Sequence, residues 1–289
     1  MRTDVEDLVL RYGEATALDR MTFSLAENKI YGLLGRNGSG KTSLLSVLAG
    51  FRRETSGRVR VDGRPVFENG ALTREISLIR DAGETIDIGT VGDVFYFAEW
   101  LRPRWDGAFA RELLDLFGLK PKMNVKTMSK GQRSALGVVV GLAGRAPLTM
   151  FDEAYLGMDA PSRYAFYDAL LADYAEHPRT IILSTHLIEE IGALFEDVLI
   201  IDRGRLVVHE DRDTLLSRGT SVTGPAAQVE AFTAGMNVLG TKELGPTRSA
   251  AVYGELDEAR RRKAAEAGLE LGPISLQDLF VHLTGGTSR

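Results

Sequence analysis

The segment Gly35-Arg36-Asn37-Gly38-Ser39-Gly40-Lys41-Thr42 leaves this chain few folds to choose from. The apolar run Ile30-Tyr31-Gly32-Leu33-Leu34 before it predicts a buried strand, and Ser43-Leu44-Leu45-Ser46-Val47-Leu48-Ala49 after it predicts a helix. Strand, glycine-rich loop and helix in that order match the phosphate-binding pattern G-x-x-x-x-G-K-[ST]. Glycines permit a tight turn in which successive N–H groups point at phosphate oxygens. The helix N-terminus adds partial positive charge at the same point. In such a loop Lys41 reaches the β- and γ-phosphates of a nucleotide and the Thr42 hydroxyl holds Mg²⁺. Gly35, Arg36, Asn37, Gly38, Ser39, Gly40 and Ser43 complete the cradle. A glycine-rich turn that matches by chance is the competing reading, and it leaves the flanking strand and helix unexplained.

A length of 289 residues is enough for one large α/β domain with a small one appended. Charged residues make up 26% and the formal net charge is −5. That balance gives a nucleic-acid partner no electrostatic support, so none is expected. The cluster Arg260-Arg261-Arg262-Lys263 is surrounded by Glu255, Asp257, Glu258 and Glu266, and reads as a solvated helix face rather than a binding patch. With no cysteine, disulfides, thiolate metal sites and cysteine nucleophiles are excluded. The opening Met1-Arg2-Thr3-Asp4-Val5-Glu6-Asp7 lacks the apolar core of a signal peptide. No apolar run approaches the ~20 residues of a membrane span. Any membrane association is therefore expected through a partner.

Strands are expected at residues 5–12, 21–25, 57–61 and 75–79, with an Asp62-Gly63 turn behind the third. Helical spacing over 91–101 and 106–117 marks an insert at about 88–144 that carries Trp100 and Trp105. Trp105 reads as core packing of that insert. A strand at 148–151, a helix at 162–174 and strands at 180–184, 197–202 and 204–208 restore α/β character. After about residue 217 the composition shifts. Residues 219–225 read as a linker or domain edge. Beyond them, helices at 226–234 and 255–267, strands at 237–244 and 249–253 and a short helix capped by Ser275 predict a small accessory α+β domain at 220–289.

The strand Leu148-Thr149-Met150-Phe151 ends in Asp152-Glu153, an apolar strand delivering carboxylates. At a nucleotide site Asp152 would assist Mg²⁺, through water, and Glu153 would act as general base on the attacking water. Between the two sites, Met128-Ser129-Lys130-Gly131-Gln132 opens an apolar helix. This segment resembles the L-S-G-G-Q signature of ATP-binding cassette (ABC) ATPases. The order of motifs matches that family across residues 1–217. By the same resemblance, Tyr12 stands where the adenine-stacking aromatic is found, Gly157-Met158-Asp159 resembles the D-loop, and Thr185-His186 resembles the switch histidine. Tyr12 as an ordinary strand aromatic and His186 as an ordinary surface or core histidine are the competing readings.

The resemblance implies an α/β fold, a P-loop NTPase of ABC type. It would have an antiparallel β subdomain, a helical subdomain and a small C-terminal α+β extension. It also implies a mechanism. Two cassettes, as a homodimer or heterodimer, sandwich two ATP molecules head to tail with Mg²⁺. Ser129 and Gly131, with Gln132 and Asp159 beside them, meet the γ-phosphate held by the opposite subunit. Ser129 also suits an N-cap that aims its helix at that phosphate. His186 meets the γ-phosphate and Glu153, and Lys41 completes the catalytic set. The partner is an integral membrane transporter subunit, which places the cassette on the cytoplasmic face of the membrane.

Departures from the family pattern qualify this picture. In Leu78-Ile79-Arg80-Asp81, Asp81 stands in the place of a glutamine that touches Mg²⁺ and senses the membrane partner. A carboxylate can accept a metal but cannot donate as an amide does. Lys130 replaces the commonest glycine, and Ala154-Tyr155 replaces the usual Pro-Thr. The segment Arg102-Pro103-Arg104-Trp105-Asp106, with the S-K-G-Q signature, resembles bacterial exporter ATPases that work with separately encoded membrane subunits. The expected function is the ATP-hydrolysing subunit of a bacterial ABC exporter. Rival readings are a soluble ABC ATPase and an ATP-binding, non-catalytic half of a heterodimer. Long coiled coils and a second cassette are missing for the first, and intact Lys41, Asp152, Glu153 and His186 count against the second.

Overall fold

The computed structural model describes residues 1–80 and 89–285, so Asp81 lies outside the described residues. The chain divides into two compact units: residues 1–186 with 201–206, and residues 187–200 with 207–289.

The first unit opens with a hairpin, β1 (Thr3–Tyr12) and β2 (Ala15–Leu25), longer than the sequence suggests. The ladder continues to the Tyr12–Ala15 pair, so residues 15–20 extend β2 beyond its apolar end. Next come β3 (Ile30–Gly35), α1 (Lys41–Leu48), β4 (Ser56–Val61), β5 (Arg64–Pro65), α2 (Gly70–Thr73) and β6 (Ile76–Arg80). Strands β2-β1-β4-β5 form an antiparallel sheet in that order. Asp62 and Gly63 both take positive φ, 48° and 75°, as a tight two-residue hairpin requires.

Helices α3 (Val91–Leu101), α4 (Gly107–Leu116) and α5 (Lys130–Ala143) follow, then β7 (Leu148–Asp152), α6 (Ala160–Glu176) and β8 (Thr180–Thr185). Strands β3, β8, β7 and β6 lie side by side in that order, all parallel. Every residue of β3, β7 and β8 is buried, as expected of parallel strands covered on both faces. Helix α5 packs on β6 and β7. A Cβ at Gly141 would stand 2.6 Å from the Phe151 ring, so glycine there lets helix and strand approach. The insert helices start on side-chain caps. Thr90 and Asp93 form a reciprocal box on α3, and the Asp106 carboxylate accepts from the N–H groups of Ala108 and Phe109 on α4.

The second unit begins with α7 (Ile188–Ile191). Strands β9 (Asp197–Asp202) and β10 (Arg205–Asp211) form a hairpin whose tip, residues 201–206, belongs to the first unit. Then come α8 (Arg212–Ser217), β11 (Gly219–Pro225), α9 (Ala226–Thr233), β12 (Val238–Leu244), β13 (Thr247–Tyr253), α10 (Glu258–Glu266), β14 (Glu270–Pro273) and α11 (Leu276–Thr284). From β11 to β14 the order is strand-helix-strand-strand-helix-strand. The sheet runs β12-β13-β11-β14 with antiparallel neighbours, which is the ferredoxin-like arrangement. Val222, Val229, Ala250, Val252, Ala264 and Leu269 make its core.

Residues 219–225 are therefore not a linker. They form a central strand of this sheet, paired on both sides. Small and polar residues gave the segment its loop-like composition, yet the Thr220, Val222 side of the strand is buried. Tertiary pairing overrides the weak local signal of a strand with one small-residue face.

Candidate phosphate site and its catalytic groups

The turn between β3 and α1 takes the shape its glycines allow. Gly38 and Gly40 have φ of 78° and 110°, and Ser39 N–H donates to the Arg36 carbonyl at 3.0 Å. Gly40 is the N-cap of α1 and brings no side chain to it. A Cβ at Gly40 would meet the Ala17 carbonyl at 2.8 Å, so the position takes glycine for space as well as for φ. Ala17, Asn37, Gly38, Gly40, Lys41, Thr42, Ser43 and Glu153 line a cavity of about 350 Å³. Gly35, Arg36 and Ser39 complete the turn behind it. Ser39 is buried and its Oγ has no hydrogen-bond partner among the described residues.

Lys41 is buried, and its ammonium donates to the carbonyls of Gly35 at 2.7 Å and Arg36 at 3.3 Å. It also lies 3.6 Å from Glu153 Oε1. Glu153 follows β7 with φ of 53°, a left-handed conformation uncommon for a side chain of this kind. Its N–H donates to the Ser184 carbonyl at 3.1 Å, so β8 holds the turn that directs the carboxylate into the cavity. Glu153 Oε1 is 3.3 Å from His186 Nδ1. The parallel sheet thus brings the loop cation, the strand-end acid and the histidine after β8 to one place, although they lie far apart in sequence.

Asp152 is buried at the end of β7, and its Oδ1 has no partner among the described residues. Among those residues no cluster of three or more His, Cys, Asp or Glu could hold a metal ion. One carboxylate and the Thr42 hydroxyl suit a hard cation that keeps waters and takes its other oxygens from phosphates. The residues present therefore fit Mg²⁺ carried with a nucleotide.

The remaining site residues from the sequence are placed as follows. Tyr12 is half exposed at the end of β1, its hydroxyl 3.5 Å from Ser43 Oγ and its ring 5.7 Å below the Arg52 guanidinium. Ser129 caps α5 in a reciprocal box: its Oγ accepts from Gln132 N–H, and Gln132 Oε1 accepts from Ser129 N–H. A Cβ at Gly131 would lie 3.0 Å from the Gly157 carbonyl, so the start of α5 packs on the turn before α6. Asp159 caps α6, and hydrogen bonds from Ser162 hold its carboxyl below the usual carboxylate range. None of Ser129, Gly131, Gln132 and Asp159 lines the phosphate cavity of this chain.

Other neighbours of the loop had no motif to mark them. Gly204, at the tip of the β9–β10 hairpin with φ of 77°, donates its N–H to the Ser39 carbonyl at 2.8 Å. A Cβ there would strike the Ala17 carbonyl at 2.6 Å. The Asp202-Arg203-Gly204 turn was the available signal, but nothing in it points to the loop. Ala154 and Tyr155 are also resolved by packing. Both are fully buried, and the Tyr155 ring lies against Phe166 and Tyr167 with centroids at 5.4 and 5.7 Å. On α3, Phe95 meets Trp105 edge to face at 5.2 Å, which makes Trp105 part of the insert's packing, while Tyr96 and Trp100 are exposed.

Fold and site together define a P-loop ATPase: a phosphate loop, a strand-end acid pair and a histidine on a parallel sheet, flanked by an antiparallel sheet and a helical insert. The chain belongs to the family of ABC transporter ATP-binding proteins. The family model for ABC transporters matches residues 18–156. The chain is 32% identical to the uncharacterized ABC transporter ATP-binding protein MJ1023 of Methanocaldococcus jannaschii, covering 70% of this chain and 75% of that protein. It is 34% identical to the methionine import ATP-binding protein MetN of Mesorhizobium japonicum, over 70% of this chain but only 58% of that protein's length. Identity to the daunorubicin resistance ATP-binding protein DrrA3 of Streptomyces coeruleorubidus is 28%, over 96% of this chain and 94% of that protein. The fold is shared with a dimeric ATP-binding cassette, MJ0796, solved in a post-hydrolysis state with ADP and Pi. The TM-score is 0.63 at 18% identity, over 73% of this chain and 98% of that one. The chain is accordingly an ABC ATPase. Among the described residues no helix is long and apolar enough to cross a membrane.

Proposed function

We propose that this chain is the ATP-hydrolysing subunit of a bacterial ABC exporter. It would work as a head-to-tail dimer on the cytoplasmic face of a membrane subunit. The convergence of Lys41, Glu153 and His186 on the loop cavity carries the catalytic part of the reading. Lys41 and the N–H groups of residues 38–43 bind the phosphates, and Tyr12 stacks on adenine. Thr42 and, through water, Asp152 would hold Mg²⁺, with Asp81 a further ligand proposed from the sequence alone, and the ion would neutralise phosphate charge. The Glu153 carboxylate accepts the proton of the attacking water. His186 orients that carboxylate and meets the γ-phosphate.

Head-to-tail pairing is favoured because the capped start of α5 lines no cavity with its own loop. Its helix N-terminus then serves the nucleotide of a second cassette. Export is favoured by the match to a daunorubicin resistance ATP-binding protein over 96% of this chain, which takes in most of residues 220–289, whereas the methionine-import relative matches 70% of it. The exposed Tyr96 and Trp100 on α3, near Phe97, suit a helix of the membrane subunit.

The test is Glu153→Gln. An amide cannot take the water's proton, so ATP binding should persist while hydrolysis stops. Light scattering of this variant should show a dimer with ATP and a monomer without it. A variant that hydrolyses ATP at the original rate would remove Glu153 from the mechanism. One that stays monomeric at saturating ATP would remove the homodimeric sandwich.

A further inference from the structure

Helix α1 carries Lys41 and Thr42 in its first turn, yet its N-cap, Gly40, makes no side-chain cap hydrogen bond. A side-chain tie reaches that turn from one turn further along. Ser46 Oγ donates to the Thr42 carbonyl at 2.5 Å and accepts from the Arg80 guanidinium at 2.7 Å. Ser46 is only 4% exposed, so water does not compete freely for this hydroxyl. A hydroxyl that accepts from a cation is a stronger donor in turn, and the charge-assisted bond is the stronger of the two.

Arg80 comes from another part of the fold. It is the last residue of β6, the strand partner of Asp152 on β7. Its guanidinium stands 5.5 Å from the Phe51 ring centroid, and Phe51 is fastened to the same helix by its N–H on the Ser46 carbonyl at 2.9 Å. One guanidinium therefore links the strand beside Asp152 to the turn that bears Thr42.

We propose that Arg80 is a positioning residue for the metal end of the nucleotide, acting through Ser46 to fix the orientation of Thr42. This rests on the reading of Thr42 as a metal ligand. Arg80 itself does not line the loop cavity. Lys41 does not depend on this tie, because its ammonium is held by the carbonyls of Gly35 and Arg36, and the Ser39 N–H is held by Arg36 in the same way. Removing it loosens the metal contact and leaves metal-free phosphate binding in place.

The experiment is calorimetric titration of ATP into the full chain, with Glu153→Gln as background to stop turnover, once in EDTA and once in excess Mg²⁺. The readout is the gain in affinity that Mg²⁺ gives. Arg80→Ala should cut that gain about tenfold, the loss expected of one charge-assisted hydrogen bond, while the affinity in EDTA stays within about twofold. Ser46→Ala should do the same, and the double variant should be no worse than either single one, because both remove one linkage. Arg80→Lys keeps the charge and should recover part of the gain. An unchanged Mg²⁺ gain in Arg80→Ala overturns the proposal. So does an equal loss with and without Mg²⁺, which is what general loosening would give, and so do additive effects in the double variant. Thr42→Ala is the separate control. If it leaves the Mg²⁺ gain intact, the metal-ligand reading of Thr42 fails, and this proposal with it.

Discussion

Tyr155 stands where the family usually has threonine, two residues after the proposed general base, and truncating it tests whether that departure serves packing or chemistry. The side chain is completely buried and touches Phe166 and Tyr167, and Phe166 in turn meets Phe151 at 5.3 Å. Removing a buried aromatic ring to alanine costs about 3–5 kcal/mol, and aromatic pairs add roughly 0.5–1.5 kcal/mol each beyond area. A loss of about 4 kcal/mol is therefore expected for Tyr155→Ala. At ~2–4 °C per kcal/mol for a unit of this size, the melting temperature should fall by roughly 8–16 °C. Tyr155→Thr restores the family's common residue, yet it should lose nearly as much, because Phe166 and Tyr167 would still face a cavity. Tyr155→Phe keeps the ring and its contacts with Phe166 and Tyr167, so it should melt much closer to the original protein than Tyr155→Ala does. The assay is thermal unfolding followed by circular dichroism, with ATPase rate measured well below the transition. Turnover should also fall in the truncated variants, since the Leu156 N–H bonds the Glu153 carbonyl at 3.2 Å within the same turn. A Tyr155→Thr protein that melts within about 2 °C of the original would refute the packing account.

Tyr12→Ala should weaken ATP by on the order of 1 kcal/mol, about fivefold, and leave inorganic triphosphate unaffected. Equal weakening of both ligands in a competition assay would place Tyr12 in the fold rather than on adenine. Asp106 has its carboxyl held below the usual range by the Phe109 N–H, with Arg145 2.9 Å away. Because the folded value is depressed, its stabilisation is complete above the unfolded pKa of about 3.9 and is lost as pH falls through the folded value. Asp106→Asn should therefore unfold at lower urea than the original protein at pH 7, with the gap narrowing as pH is taken below the unfolded pKa of about 3.9. A gap of the same size at both pH values would show that the charge is not what matters.

The exposed aromatics of the insert show how composition alone misleads. Phe95, Tyr96 and Trp100 are similar residues on one short helix. Helical rotation turns Phe95 onto Trp105 and leaves Tyr96 and Trp100 in solvent. The reverse happened at residues 219–225. Their glycines, proline and small side chains read as a linker, but two antiparallel neighbours make them a central strand. Local propensity in a strand is weaker than the pairing available to it.

The sequence by itself determined the phosphate loop, because its conformation is a local property: glycines at the positions of positive φ and a helix start directly behind them. The acid pair, the histidine and the caps at Ser129 and Ser275 were legible there too, since each needs only a few neighbouring residues in a set order. Tertiary structure decided what those groups face. The 3.3 Å approach of His186 to Glu153 and the 3.6 Å approach of Lys41 come from three parallel strands that the sequence does not place side by side. The bracing of Ser39 by Gly204, the burial of Tyr155 and the tie from Arg80 to Ser46 arose in the same way. Each is a contact between residues distant in the chain, formed by packing and strand order, so no short stretch of sequence records it.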